Sequence, residues 1–434
     1  MRNKQMTLFP ELASELASRV NNEINRIDLV DHPFHDWYRF VLAFPPHLVR
    51  QYLTEWQIDG NATLLDPFCG TGTSVLEAKL NNVLAVGLEM NPVAAFASTV
   101  KTSFSVDYHE LEDDASKIYD LLSSDRDDSI PVELSLNKEA SKLLIRDSIS
   151  RLPLQKVLRI RYAIKHLCTN SLIQQCFLLA LAKIAVTEAS NLRFGPEIGV
   201  GKYKHDAAVY QSWLDQVLRM AEDLRTIEGR KYPESQIIRG DARIIDKVVA
   251  DNMKFDTVFT SPPYPNEKDY TRTTRLELVL LDFIQNLQDL RAIKKGFVRS
   301  NTRSVYHDDK DHLAITNNRR VTQLAEKIEA RRVSLGKTSG FEKQYPRVVL
   351  QYFGGIKRHL AGLRAILKPK ARLGYVVGDQ ASYLGVMIHT GEILAEIASE
   401  LGYELEKIDL FRLRAATTTR SELREEVVVL RWTG

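Results

Sequence analysis

Apolar residues in this chain gather into short unbroken runs and seldom alternate with polar ones. ATLLDPFC (62–69) and VLAVGLEM (83–90) are two such runs, and between them Ser74 to Leu80 offers Val75, Leu76 and Ala78 to one side of a helix. Two strands buried on both faces and joined by a helix form a βαβ unit, and hence a parallel sheet. FDTVFT (255–260) and ARLGYVVGD (371–379) repeat the pattern, and QIIRGD (236–241) adds a shorter strand. A helix is predicted over TGEILAEIASELG, capped by Thr390 and stopped by Gly402. The chain closes on LEKIDLFRL (405–413) and EEVVVLRW (425–432), which read as an antiparallel edge.

The core is interrupted. Between the second strand and FDTVFT lie about 160 residues with helical spacing, as in SLIQQCFLLALAKIAVTEA (171–189) and AAVYQSWLDQVLRMAEDL (207–224). The acidic, Ser-rich stretch SSDRDDSIP (123–131) reads as the linker into that insertion. The organisation expected is an α/β core over 1–104, 236–285 and 346–434, a helical insertion over 105–235, and a separate segment over 286–345.

Composition narrows the class. With 434 residues, 44% hydrophobic and 26% charged, the chain buries a sizeable core, which excludes a disordered, collagenous or coiled-coil protein. Three cysteines (Cys69, Cys168, Cys176) make neither a disulfide framework nor a zinc set, which fits a reducing compartment. The longest apolar run, Cys176 to Val186, is interrupted by Lys183, and the expectation is a soluble cytoplasmic protein with no membrane partner. His32, His35 and His47 are too few and too poorly accompanied for a metal site. The net charge of +3 says little, but its distribution does: from Arg291 to Lys343, thirteen Lys/Arg stand against six acids, which is +7 and leaves −4 elsewhere. Such a stripe suits a polyanion, since each neutralised phosphate releases counterions, although a solvated surface insertion has the same composition.

Chemistry gathers at the ends of two strands. The first run ends in Asp66-Pro67-Phe68-Cys69-Gly70-Thr71-Gly72-Thr73. Glycines there let the backbone approach a ligand at the carboxyl end of the sheet, as in any nucleotide-binding turn. Glu89, seventeen residues after Gly72, ends the next strand, where a carboxylate can accept two ribose hydroxyls. A phosphate-binding P-loop is excluded by its one near match: Gly195 to Lys202 has five residues between its glycines, and Tyr203 where Ser or Thr belongs. FDTVFT runs directly into Ser261-Pro262-Pro263-Tyr264. Two prolines carry no N–H, so local carbonyls are left to accept from an exocyclic amine, and a tyrosine ring offers a base a stacking surface. Pro-Pro-Tyr is also a polyproline or WW-domain signal, but here it follows a buried strand.

DPFCGTGT, VGLEMNP and TSPPY together resemble the S-adenosylmethionine-dependent DNA amino-methyltransferases. The resemblance extends to HPFHDWYRFVLAFPPHLV (32–49), SPPYPNEKDYTRTTRLEL (261–278) and EEVVVLR, about half of the chain, and leaves the insertion and the basic segment uncovered. It implies a Rossmann-like methyltransferase core with a large helical insertion, and S-adenosylmethionine as cofactor. Asp66, Phe68, Gly70, Thr71, Gly72 and Thr73 would line the methionine end, with Phe44 and Pro45 packing nearby. Glu89 would hold the ribose, with Asn91 among the cofactor residues, and Asp241 would contact the adenine. Ser261, Pro262, Pro263 and Tyr264 would grip the target base. The family usually carries Asp where this chain has Glu89, so the carboxylate sits on a longer arm.

The base follows partly from chemistry. Methylation at cytosine C5 needs an attacking thiolate, and no cysteine here has the Pro-Cys context of those enzymes. Attack by an exocyclic amine needs none. Ser at the first position of the turn resembles the cytosine-N4 enzymes, and Asp or Asn the adenine-N6 enzymes. The resemblance thus implies a site-specific cytosine-N4 methyltransferase acting on a base flipped from duplex DNA, in a restriction–modification system with a cognate endonuclease, working at the nucleoid. Adenine-N6 methylation, RNA guanine-N2 methylation and a nucleic-acid-binding protein on a degenerate scaffold are the alternatives. Candidate DNA contacts are Arg193, Lys202 and Lys204 in the loop 191–205, Arg272 and Arg275 after the SPPY turn, and Arg319, Arg320, Arg331 and Arg332 in the basic segment. Arg272 and Arg275 are equally placed to pair along a helix.

Overall fold

A computed structural model describes residues 29–40, 43–124, 130–194, 198–250, 252–415 and 422–434. The N-terminal 28 residues, positions 125–129 of the expected linker and Gly195 of the P-loop near match lie outside them. One sheet contains β1 (Thr63–Asp66), β2 (Leu84–Glu89), β3 (Ser235–Arg239), β4 (Phe255–Thr260), β5 (Leu367–Gly378), β6 (Tyr403–Ala415) and β7 (Glu422–Trp432). Their order is β3-β2-β1-β4-β5-β7-β6. The first five are parallel, and β7 enters antiparallel between β5 and β6. Strand order reverses between β1 and β4, which pair through Leu64–Thr257 and Leu65–Val258. The two motifs therefore leave the carboxyl ends of adjacent strands at the switch point of the sheet, where open α/β sheets bind ligands.

Alternation along the strands explains the two covered faces. Leu64 and Phe259 point to one side, where α1 (Pro46–Glu55) and α2 (Thr73–Leu80) bury Val49, Tyr52 and Val75. Leu65 and Val258 point to the other, against two helices near the C-terminus. A second core joins α3 (Pro92–Lys101) to α4 (Tyr108–Ser123), α5 (Arg151–Leu167), α6 (Ser171–Ile184) and α7 (Val209–Thr226) of the region 105–235. That core also takes in Trp37 and Tyr38 from the N-terminal segment and Leu276 to Leu280 from beyond the SPPY turn. The α6 helix and its π-helical extension to Ala189 are long and apolar enough to cross a membrane, but Phe177, Leu179 and Leu181 lie at the centre of the insertion.

The basic segment contains α8 (Leu287–Lys295) and α9 (Arg319–Ser334), followed by α10 (Tyr345–Leu363) and α11 (Thr390–Glu400). Few apolar residues suffice to anchor it: Val298, Ile315, Val321 and Ile328 join the core formed by the sheet, α10 and α11. The cap expected at Thr390 is corrected. Thr390 is the first helical residue, His389 holds the cap position with its side chain turned to Asp379 and not to the helix amides, and the Thr390 hydroxyl is buried with no partner among the described residues. Gly402, at φ +91°, does follow the end of that helix.

Candidate active site

The glycine turn is fixed from below and from both sides. Asp66 is 1% exposed, and its carboxylate accepts the Thr260 hydroxyl at 2.6 Å and the Phe68 N–H at 3.2 Å. Burial pushes its pKa up to about 6 even though these bonds oppose the rise. Asp66 thus ties β1 to β4 beneath the site. Gly72 has φ +87°, and a Cβ on it would stand 2.4 Å from Ser98 Oγ, so both conformation and space demand glycine. Glu89 accepts the Gly70 N–H at 2.9 Å and the Asn91 N–H at 2.7 Å. Its enclosure raises the pKa to about 7. Each of its oxygens keeps a further lone pair for a ligand. On the far side, the buried Lys101 donates to the Thr71 carbonyl at 2.7 Å and the Tyr38 carbonyl at 3.2 Å, and burial lowers its pKa to about 7. That lysine joins the N-terminal segment to the turn.

At the end of β4, Ser261 donates its proton to the Val376 carbonyl of β5 at 3.0 Å. Its oxygen is left as an acceptor. Both turns open into one cavity of about 700 Å³. Of the residues expected at the site, Phe44, Phe68, Gly70, Thr71, Thr73, Glu89, Asn91, Ser261, Pro262, Pro263, Tyr264 and Arg272 line it. Asp66, Gly72, Asp241 and Arg275 do not. The insertion closes one wall with Lys183, Val186 and Phe194, and the basic segment contributes Phe297, Val298 and Arg303.

Several expected roles are revised by the hydrogen bonds. Asn91 borders the cavity, but its carboxamide accepts from Val93 N–H at 3.1 Å and donates to Thr274 Oγ1 at 3.0 Å, so it caps α3. Asp241 is gripped by the Arg243 guanidinium, at 2.7 Å to Nη2, while Arg243 also pairs with Asp311 at 2.6 Å. Its neighbours Gly240 and Ala242 face the cavity instead. Arg275 spends its guanidinium on Thr271 and on the Leu143 carbonyl. Lys204 donates to the Glu188 carbonyl at 2.7 Å. Arg320 pairs with Glu392 and Arg332 with Glu329, while Arg319 and Arg331 are exposed and have no ion pair among the described residues. Arg193 and Lys202 are exposed on the loop beyond α6. Among the described residues no His/Cys/Asp/Glu group is arranged for a metal, and His35 bonds Glu77 at 2.7 Å.

Two features were missed. Glu277 is 2% exposed and lines the cavity; one oxygen accepts the Tyr38 hydroxyl at 2.5 Å, and the other has no partner among the described residues. Burial raises its pKa to about 7. A single acid inside the apolar run RLELVLL was the available signal. Arg412, Arg414 and Glu425, from β6 and β7, also line the cavity. Nothing in their spacing along the chain announces them.

A switch-point cavity under a 3-2-1-4-5-7-6 sheet, with a glycine turn, an acidic strand end and an SPPY turn, defines a protein of the Rossmann-like methyltransferase fold. The chain is 23% identical over 432 residues to the type II methyltransferase M.BsoBI of Geobacillus stearothermophilus, across 89% of this chain and 82% of that protein. It is 24% identical over 429 residues to the type II methyltransferase M.AvaI of Nostoc sp. strain PCC 7120, across 93% and 84%. Among solved structures, TrmN from Thermus thermophilus aligns at a TM-score of 0.31 and 11% identity, over 93% of this chain and 53% of that one. No protein-family model matches the chain.

Proposed function

We propose that this protein is a DNA methyltransferase of the restriction–modification type that methylates the exocyclic N4 of cytosine, with S-adenosylmethionine as methyl donor. The observation that carries the reading is the single cavity shared by the glycine turn and the SPPY turn at the ends of adjacent strands. Its volume suits a nucleoside cofactor together with one base. The cofactor supplies an electrophilic methyl group on a sulfonium.

The residues fit such a cofactor. Glu89 has lone pairs for the ribose hydroxyls, and Phe44 and Phe68 offer apolar contact. The unpartnered oxygen of Glu277 suits the α-ammonium of the methionine moiety, since a buried carboxyl oxygen without a donor is costly. The Ser261 oxygen, its own proton given to Val376, accepts from the attacking amine, and Tyr264 stacks on the base. Covalent chemistry through sulfur is disfavoured: all three cysteines are buried, and burial pushes the Cys69 thiol far up. The relatives named type II methyltransferases support DNA as substrate; duplex DNA with a flipped base, and a cognate endonuclease as companion, complete the proposal. Exposed Arg193, Lys202, Arg319 and Arg331 are among the cations available to its phosphates.

Mass spectrometry of nucleosides from cells expressing the protein, beside cells expressing Ser261→Ala, tests this reading. N4-methylcytosine in DNA from the first and not the second is the expected result. N6-methyladenine would overturn the base, and a methylated base found only in RNA would overturn the substrate.

A further inference from the structure

The edge strands bring a charged cluster to the SPPY turn that neither motif accounts for. Glu425 of β7 is 4% exposed. Arg412 bonds one of its oxygens, and Arg414 Nε stands 2.8 Å from the other. Two guanidinium groups against one carboxylate leave a net positive charge. Arg414 Nε and Nη2 are both buried and make no directed hydrogen bond among the described residues. Gly378, the last residue of β5, locates them. A Cβ built on it would lie 3.2 Å from Arg414 Nη2, 3.2 Å from Tyr264 Cε2 and 3.1 Å from Glu425 Cγ. The guanidinium and the tyrosine ring are therefore neighbours across this glycine. Two residues back along β5, the Val376 carbonyl takes the proton of Ser261.

We infer that Arg414, held by Glu425, reads the N3–O2 edge of the target cytosine. The inference rests on the methyltransferase reading of the same cavity. Buried donors without acceptors are rare in folded proteins and mark a place where a ligand supplies them. A guanidinium presents parallel N–H groups that suit two adjacent acceptors. On cytosine, the atoms after the reactive N4 along the ring edge are N3 and then O2, both acceptors. On adenine, the atoms after N6 are N1 and then C2–H, so the second donor would stay unpaired. The cluster thus selects cytosine where the SPPY turn alone grips any exocyclic amine. The ion pair with Glu425 keeps the guanidinium beside the SPPY turn and offsets part of its charge.

The test begins with mapping the methylated position in cellular DNA by sequencing. Duplexes of that site are then made with cytosine or 3-deazacytosine, in which C–H replaces N3, at the target position. Single-turnover rates are compared for the wild type, Arg414→Ala and Arg414→Lys. The lysine variant keeps a charge beside Glu425 and guards against loss of the fold. Retained binding of S-adenosylhomocysteine identifies folded protein. Both variants are expected to slow transfer to cytosine by roughly tenfold or more. The analogue should cost the wild type a larger factor than it costs either variant, because its intrinsic reactivity cancels in the cycle. Losses that simply multiply, or a lysine variant as fast as wild type, would mean that Arg414 meets a phosphate or nothing, and would overturn the inference while leaving the methyltransferase reading intact. Methylation mapped to adenine would overturn this inference and the cytosine assignment together, with methyl transfer itself retained.

Discussion

The turns at the strand ends and the basic segment hold their charged groups in different ways. At the turns, each group is fixed by partners that the sheet itself supplies: Glu89 by the amides of Gly70 and Asn91, Ser261 by the next strand, Asp66 by Thr260. From Arg291 to Lys343, six of the thirteen cations are neutralised: Lys294, Lys295, Arg299, Arg320, Arg332 and Lys337 pair with acids, some of them distant along the chain. The other seven, Arg291, Arg303, Lys310, Arg319, Lys327, Arg331 and Lys343, are exposed and have no ion pair among the described residues. A strand-end motif carries its own geometry. A charge stripe does not, because the net charge of a segment is silent about which cations its fold has already spent.

The sharpest way to break that contrast is at the glycines. Gly72→Ala must push against Ser98 in a left-handed conformation, and should lose roughly 2–5 kcal/mol of stability and most cofactor binding. Gly70→Ala, at φ +51° but with open space around the new Cβ, should lose only about 1–2 kcal/mol. Thermal denaturation with and without S-adenosylhomocysteine checks both, and equal losses would mean that the Ser98 contact yields.

Next in size is the catalytic turn. Tyr264→Ala and Ser261→Ala should each slow methyl transfer by roughly 100-fold while changing cofactor affinity less than about twofold. Parallel loss of rate and affinity would show that the turn shapes the cofactor site rather than the base site.

These two tests fall on residues that were legible in the sequence, and the reason is local. Unbroken apolar runs specify parallel strands, and a strand that stops at DPFCGTGT or SPPY fixes what stands at its carboxyl end. Most strands of the sheet follow from these runs alone. The bonding of Asp241 and Asn91 is less legible, because it reaches through Arg243 to Asp311 and across to Thr274, both distant along the chain. Arg414 and Glu425 meet through the pairing of β6 with β7, and they reach Tyr264 only because β7 inserts between β5 and β6; Glu277 meets Tyr38 only because the N-terminal segment folds onto the helical core.

Glu277 tests that longer-range part. Glu277→Gln should weaken S-adenosylmethionine binding by about tenfold, since the amide keeps the shape and loses the charge. Its stability signature has a definite sign. Its pKa is about 7 in the fold against 4.5 unfolded, so between these values the folded protein holds a proton that the unfolded chain has released. Stability therefore falls as pH rises through that window, by up to about 3 kcal/mol, and the glutamine variant should escape this part of the loss. Melting curves from pH 5 to 8 that stay parallel for the two proteins would contradict it.

The smallest effects separate the free from the spent cations of the basic segment. Arg319, Lys327 and Arg331 recur at four- and eight-residue intervals on α9 and so share one exposed face with Gln323 between them. Changing these three to glutamine should weaken DNA binding severalfold and lower the slope of log K against log salt by about 2–3. Arg320→Gln instead removes a half-exposed pair with Glu392 and Glu396, and should change stability by less than about 1 kcal/mol with no change in that slope. If Arg320→Gln lowered the slope as much per charge as the triple variant, its ion pair would have to open on DNA. The distinction between spent and free cations would then fail for this helix. If neither variant moved the slope, the phosphate contacts would belong to Arg193, Lys202 and the insertion.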